Sequence, residues 1–168
     1  MSRKLILIRH CEAEFRGDDG TDHGRRLSSH GRGTAREIGA WMERTGEVPD
    51  IVLCSSAMRA VDTWACISSE LSAPPVVKFK NEIYDASVRE LQHVIEATVG
   101  RSICVIGHNP SLAVIANSLS KSSAPNNDLS LFPCGTVAVL KSQSADWAPF
   151  SPGFFGDLYV FTPHSAWS

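Results

Sequence analysis

The chain alternates short runs of apolar residues with segments in which apolar residues recur every three or four positions. Continuous apolar runs are typical of strands covered on both faces, whereas the three-and-four spacing is typical of amphipathic helices. The helical spacing predicts helices at residues 31–44 and 57–71, and two more that begin after Ser87 and after Asn109. Residues 121–128 are polar and are predicted to form a loop. The apolar runs predict six strands, at residues 5–8, 51–54, 76–79, 102–106, 136–140 and 158–161.

Capping and helix-breaking residues mark where several helices begin and end. Gly46 follows the first predicted helix, and glycine is common just past a helix C-terminus. Ser87 and Glu90 form a capping box. Asn109 is expected to cap the last helix, with Pro110 at its first position. The order β-α-β-α-β-α-β-α-β-β predicts an α/β fold: one domain, a three-layer sandwich with a largely parallel central sheet flanked by helices.

Charge and cysteine content exclude several classes of protein. Sixteen basic and 18 acidic residues give a formal charge of −2, whereas proteins that bind nucleic acids or anionic membranes carry a basic excess. Five widely spaced cysteines, without a Cys-x-x-Cys pair, indicate neither a disulfide framework nor a zinc ribbon. The first apolar run is too short for a secretory signal, and no run approaches the roughly 18 residues that span a bilayer. We therefore expect a cytoplasmic protein with no membrane or nucleic-acid partner.

Charged side chains follow each of the first four predicted strands. Arg9 and His10 follow the first strand, Arg59 follows the second, Glu82 the third and His108 the fourth. Because the carboxyl ends of parallel strands meet at one edge of a sheet, we expect these side chains to lie close together.

This combination of side chains is suited to phosphoryl transfer. Two arginines bind an oxyanion through charge and paired hydrogen bonds, and a neutral imidazole is a nucleophile toward phosphorus. A second histidine, if protonated, adds a donor, and a carboxylic acid protonates the leaving group. Since phosphoryl transfer needs mainly alignment and charge neutralisation, such a site works without a metal. The strand ends therefore predict a phosphate-handling site.

Four sequence motifs, in order, resemble those of the histidine phosphatase (phosphoglycerate mutase-like) superfamily. The sequence LIRHCEAE at residues 7–14 is similar to the family's R-H-G motif, and RRLSSHG at 25–31 to its R-x-L-[ST]-x-x-G element. SSAMRAVDT at 55–63 resembles S-x-x-x-R-A-x-x-T, and GHNP at 107–110 resembles the second histidine motif. The E-A-E sequence, the short chain and the G-H-N-P form look most like the SixA branch, the phosphohistidine phosphatases. The resemblance implies a phosphoglycerate mutase-like fold.

The resemblance also implies roles for the matching residues, in a reaction without metal or cofactor. His10 is the implied nucleophile, which becomes phosphohistidine. Arg9 and Arg59 are implied to clamp the phosphoryl oxygens, with His108 as the second catalytic histidine. Arg25 matches an additional phosphate-binding arginine of the family.

Other positions leave alternatives open. Glu82 lies where larger relatives place their general acid, with Asp85 nearby as an alternative, and Arg26 is an alternative to Arg25. Cys11 replaces the small residue, usually glycine, that follows the catalytic histidine; being small itself, it should still allow the backbone to approach phosphate, and we do not expect it to be the nucleophile. A metal site formed by His10, His23 and His108 lacks local ligand spacing.

The SixA resemblance implies that the substrate is a phosphohistidine of a signalling protein. It also implies an open site, because the chain lacks the long insertions that cover the mutase relatives. A small-molecule phosphomonoesterase and a catalytically silent phospho-binding module are the alternatives. We expect a monomer whose partner is a phosphorylated protein or a small phosphorylated molecule.

Overall fold

The computed structural model describes residues 3–120, 132–142, 144, 147 and 152–164. All ten predicted elements are present in the predicted order, and a short 3₁₀ helix is added at Asn81–Ile83. The loop predicted at residues 121–128 lies outside the described residues. The strands are β1 (Arg3–Arg9), β2 (Ile51–Ser55), β3 (Val76–Lys80), β4 (Ser102–Gly107), β5 (Val137–Ser142) and β6 (Asp157–Phe161). The helices are α1 (Ser29–Thr45), α2 (Met58–Ser68), α3 (Val88–Glu96) and α4 (Ser111–Leu119).

The six strands form one sheet in the order β3-β2-β4-β1-β5-β6. Strands β1 to β4 are parallel, and β5 pairs antiparallel with both β1 and β6. Alternate residues of β1 face opposite sides: Leu5 and Leu7 pack with α3 and α4, whereas Ile6 and Ile8 pack with α1 and α2. Helices therefore cover both faces of the sheet, which confirms the predicted three-layer sandwich. No helix among the described residues has the length and apolar character needed to cross a membrane.

The prediction that Asn109 caps α4 is wrong. The helix begins at Ser111, Pro110 occupies the N-cap position, and no side chain caps it. The Asn109 Nδ2 atom instead donates to the carbonyl of Phe132, 3.0 Å away, so the amide joins the end of β4 to the segment before β5. By contrast, the predicted capping box of α3 is formed in full.

Candidate active site

Five of the six side chains proposed for the site lie around one cavity of about 380 Å³ at the carboxyl edge of the parallel strands. Arg9 and His10 end β1, His108 follows β4, and Arg59 lies in the first turn of α2. Arg25 reaches the same cavity from the loop between β1 and α1. The sheet brings these residues together because parallel strands end at a common edge.

The His10 ring is held in one orientation and one protonation state. Its Nδ1 lies 2.7 Å from the carbonyl oxygen of Cys11, which only accepts, so Nδ1 carries the proton. Its Nε2 accepts a hydrogen bond from Nε of Arg59 at 3.3 Å. Burial, reinforced by the nearby arginines, lowers the pKa of His10 to about 4. At neutral pH the imidazole is therefore uncharged, and the lone pair on Nε2 faces the cavity wall formed by Arg59.

His108 is the second imidazole of the site, with its ring centre 5.1 Å from that of His10. Its Nε2 lies 2.8 Å from Oγ of Ser55, at the end of β2. Burial and the neighbouring positive charges lower the pKa of His108 to about 3. Its buried Nδ1 has no hydrogen-bond partner among the described residues. At neutral pH His108 is thus a neutral ring rather than the protonated donor considered from the sequence.

A segment before β5 supports the Arg9–His10 backbone, and the sequence patterns did not identify it. Nη1 of Arg9 donates to the carbonyl of Phe132 at 3.1 Å. The N–H of Gly135 donates to the carbonyls of Arg9 and His10. Gly135 has a φ of 77° and a Cβ there would lie 2.7 Å from a Thr34 methyl group, so this position requires glycine. The only signal in the sequence was a glycine just before a predicted strand.

The loop between β1 and α1 contributes a carboxylate that the sequence patterns also missed. Asp22 binds Arg59 through its carbonyl oxygen (2.8 Å) and through Oδ2 (3.1 Å). Its Oδ1 binds Arg25 at 3.0 Å. The hydroxyl of Tyr84 donates to Oδ2 at 2.7 Å, and the Arg59 guanidinium lies 5.8 Å from the Tyr84 ring centre. Asp22 therefore connects Arg59 of α2 to Arg25 of the loop.

Glu82 does not line this cavity. It is exposed and lines a neighbouring cavity of about 650 Å³, as Asp85 and Tyr84 do. The carboxylate that lines the cavity around His10 is Glu12, whose Oε1 accepts from the Ser28 hydroxyl at 2.6 Å. The general-acid position implied by the resemblance is therefore not at the cavity wall.

The structure distinguishes Arg25 from Arg26. Arg26 binds the buried carboxylate of Asp62 at 2.9 Å, and Arg32 binds the same carboxylate. The N–H of Leu27 also donates to Asp62. Arg26 therefore fastens the loop to α2, and Arg25 is the member of the pair that reaches the cavity.

Cys11 is fully buried beside the site. Its N–H donates to Oγ1 of Thr63, whose hydroxyl in turn donates to the carbonyl of Arg59. Burial raises the pKa of the Cys11 thiol well above its usual range, so the thiol stays protonated and is a poor nucleophile. Cys134, in contrast, lines the cavity around His10.

Three comparisons relate the chain to known proteins. Residues 5–81 match the histidine phosphatase superfamily (branch 1). The Mycobacterium leprae protein ML1117 is 30% identical over 145 residues, which cover 79% of this chain and 86% of that protein. A SixA-type protein from Nakamurella multipartitia has a TM-score of 0.83 at 27% identity, covering 98% of both chains. The fold also matches the protein histidine phosphatase SixA complexed with tungstate, with a TM-score of 0.75 at 19% identity, covering 95% of this chain and 96% of that one.

Proposed function

Because the chain belongs to the SixA-type branch of the histidine phosphatase superfamily, we propose that it is a metal-independent phosphatase that forms a covalent phosphohistidine on His10. We propose further that its substrate is the phosphohistidine of another protein. The observation that carries this proposal is the state of His10. A neutral ring with its proton on Nδ1 presents a nucleophilic Nε2, and the Cys11 carbonyl fixes that tautomer.

The reaction has two steps. In the first, Nε2 of His10 forms a bond to phosphorus while the bond from phosphorus to the leaving nitrogen breaks. In the second, water forms a bond to phosphorus, the bond to Nε2 breaks, and the proton that water loses balances the one taken up by the leaving imidazole. Arg9, Arg25 and Arg59 offset the negative charge on the phosphoryl oxygens, and preorganised donors of this kind supply much of the catalysis in such sites.

The carboxylates around the site favour a phosphohistidine over an alkyl phosphate. An alkoxide leaving group needs an acid at the cavity wall. Glu82 lies in the neighbouring cavity, and Glu12, which lines the wall, uses its Oε1 to accept a hydrogen bond from the Ser28 hydroxyl, so that oxygen acts as an acceptor. Asp22 binds two arginines and is held ionised, because the Tyr84 hydroxyl and these arginines keep its pKa well below the usual range. An imidazole leaving group takes its proton on its own ring, with an ordinary pKa near 6.5. Such a substrate makes the smallest demand on an external acid.

The test is to trap the intermediate. Incubation with a phosphohistidine-carrying protein should place acid-labile, base-stable phosphate on His10 of the wild type and none on His10→Asn, in which the amide preserves the bond to Cys11. If His10→Asn retained turnover, the nucleophile would be another residue. If sugar phosphates and nucleotides were hydrolysed faster than the phosphoprotein, the chain would be a small-molecule phosphomonoesterase. Phosphate binding without any turnover would identify a phospho-binding module.

A further inference from the structure

Asp22 binds two of the three arginines of the cavity, Arg25 and Arg59, and nothing in the two-step reaction assigns it a task. Its side chain is 55% exposed, whereas that of Arg59 is only 8% exposed. A half-exposed ion pair stabilises a fold by little. The reason for this carboxylate is therefore to be sought in what it does to Arg59.

Every nitrogen of the Arg59 guanidinium has a defined partner. Nη1 and Nη2 donate to the carbonyl and carboxylate oxygens of Asp22, and Nε donates to Nε2 of His10. A guanidinium is a rigid planar fork, so fixing two of its nitrogens also fixes the direction of the third. The two bonds to Asp22 thus aim Nε of Arg59 at the atom that attacks phosphorus.

The Tyr84 hydroxyl fixes Asp22 in turn. It donates to Oδ2, the same oxygen that Arg59 binds, and Arg25 holds the other oxygen, Oδ1. Both oxygens of the carboxylate are therefore restrained although the residue lies on an exposed loop.

We propose that Asp22 is a positioning residue, which holds Arg59 with its Nε directed at the phosphoryl group on His10 and holds Arg25 at the edge of the same cavity. This role rests on the proposed phosphatase function. It differs from the role of a placeholder, an anion that only occupies the position of the phosphoryl group. A placeholder would compete with the substrate, so its removal would leave kcat unchanged or raise it.

Asp22→Asn tests the role, since the amide keeps the shape and removes the charge that orients the guanidinium. A misplacement of a catalytic group by about 1 Å costs on the order of 100-fold in rate, so we expect kcat to fall about 10- to 100-fold. We expect KM to stay equal or fall, because two released cations remain free to bind phosphate. Asp18→Asn, an exposed charge in the same loop, is the matched control and should behave as the wild type.

The pKa of His10, followed by NMR of its ring, gives a second readout that does not depend on turnover. Removal of a negative charge by itself lowers the pKa of nearby histidines. Release of Arg59 has the opposite effect, because the Arg59 charge lowers the pKa of His10 and would no longer face it. The Arg59 charge is a larger cause of the lowered pKa of His10 than the Asp22 charge, so we expect the pKa of His10 to rise in Asp22→Asn. The charged and titratable groups around His10 are Arg9, Arg25, Arg59, His108, Glu12 and Cys134.

A wild-type kcat in Asp22→Asn, an equal loss in Asp18→Asn, or a His10 pKa that falls or stays constant would each overturn the role of Asp22. Circular dichroism of both variants shows whether the fold is retained. If Asp22→Asn does not fold, Tyr84→Phe provides the test, since it removes the hydroxyl that restrains Oδ2 of Asp22 and leaves the bonds from Arg59 and Arg25 to Asp22 in place; it should also lower kcat. Failure of the phosphatase function itself is a different result, namely no phosphate on His10 of the wild type.

Discussion

Replacing His10 with asparagine should weaken the dependence of folding stability on pH. The asparagine amide N–H can donate to the Cys11 carbonyl as Nδ1 does now, but it does not titrate. The variant therefore separates the proton linkage of the ring from its hydrogen bond. The measurement is made on the protein alone, so it does not depend on knowing the substrate.

The expected size follows from the pKa of His10, which burial lowers from 6.5 to about 4. Below pH 6.5 the unfolded chain binds a proton that the folded chain does not. The contribution of the neutral His10 ring to folding stability is therefore fully present above pH 6.5 and is lost as the pH drops toward 4. Each pH unit in this window corresponds to about 1.4 kcal/mol. The proton linkage of His10 should therefore lower the free energy of unfolding by about 2 kcal/mol between about pH 6.5 and about pH 5.

Urea denaturation at about pH 7.5 and about pH 5 measures the effect. Between the two pH values, the free energy of unfolding should fall by about 2 kcal/mol more in the wild type than in His10→Asn. His108 remains in both proteins, so its own linkage cancels in the difference. His164→Asn is the matched control for loss of an exposed imidazole. Equal losses in the wild type and His10→Asn would refute the conclusion that the fold keeps this ring neutral.

Three further substitutions test the site and its support. Arg59→Lys keeps the charge but loses the planar fork, and it should slow phosphorylation of His10 about 100- to 1000-fold in a quenched single-turnover assay; a rate near wild type would show that charge alone suffices. Glu82→Gln should leave kcat for a phosphohistidine substrate unchanged, since Glu82 lines the neighbouring cavity, and a large loss would make it the acid after all. Asp62→Ala should lower the free energy of unfolding by about 2 kcal/mol in urea titrations, because it leaves the buried N–H of Leu27 without its acceptor and removes the ion pairs with Arg26 and Arg32. Asp18→Ala is the control, and a loss below about 1 kcal/mol would contradict this.

The sequence predicted the fold and most of the cavity because both follow from short-range patterns. Apolar runs and helical spacings set the order of elements, and parallel strands share one edge. Arg9, His10 and His108 lie at strand ends, and Arg59 lies in the first turn of the helix after β2, so their convergence needed no knowledge of distant contacts. Where a strand can be predicted from the sequence, the position of a residue at its end can be predicted as well.

The features that were missed depend on contacts between distant parts of the chain. Phe132 accepts from Arg9, 123 residues away, and no local pattern points to that pairing. The same carbonyl accepts a hydrogen bond from the Asn109 amide, so this side chain does not form the predicted cap of α4. Glu82 was placed near the site because β3 ends there, but the 3₁₀ helix at Asn81–Ile83 is followed by Tyr84, whose side chain faces Asp22 instead. Asp22 itself lies in a loop with no periodicity.

The neutral His108 and a donor role for the same residue are two states of one electrostatic balance. Burial and the surrounding arginines disfavour a proton on this ring, and the charge of Asp22 opposes them only in part. A phosphoryl dianion in the cavity adds negative charge next to both imidazoles and raises their pKa values. In the proposed phosphohistidine, Nε2 of His10 is bonded to phosphorus, so His108 would be the ring left to take a proton and donate to a phosphoryl oxygen. We therefore propose that a bound phosphoryl group converts His108 from a neutral ring into a cationic donor.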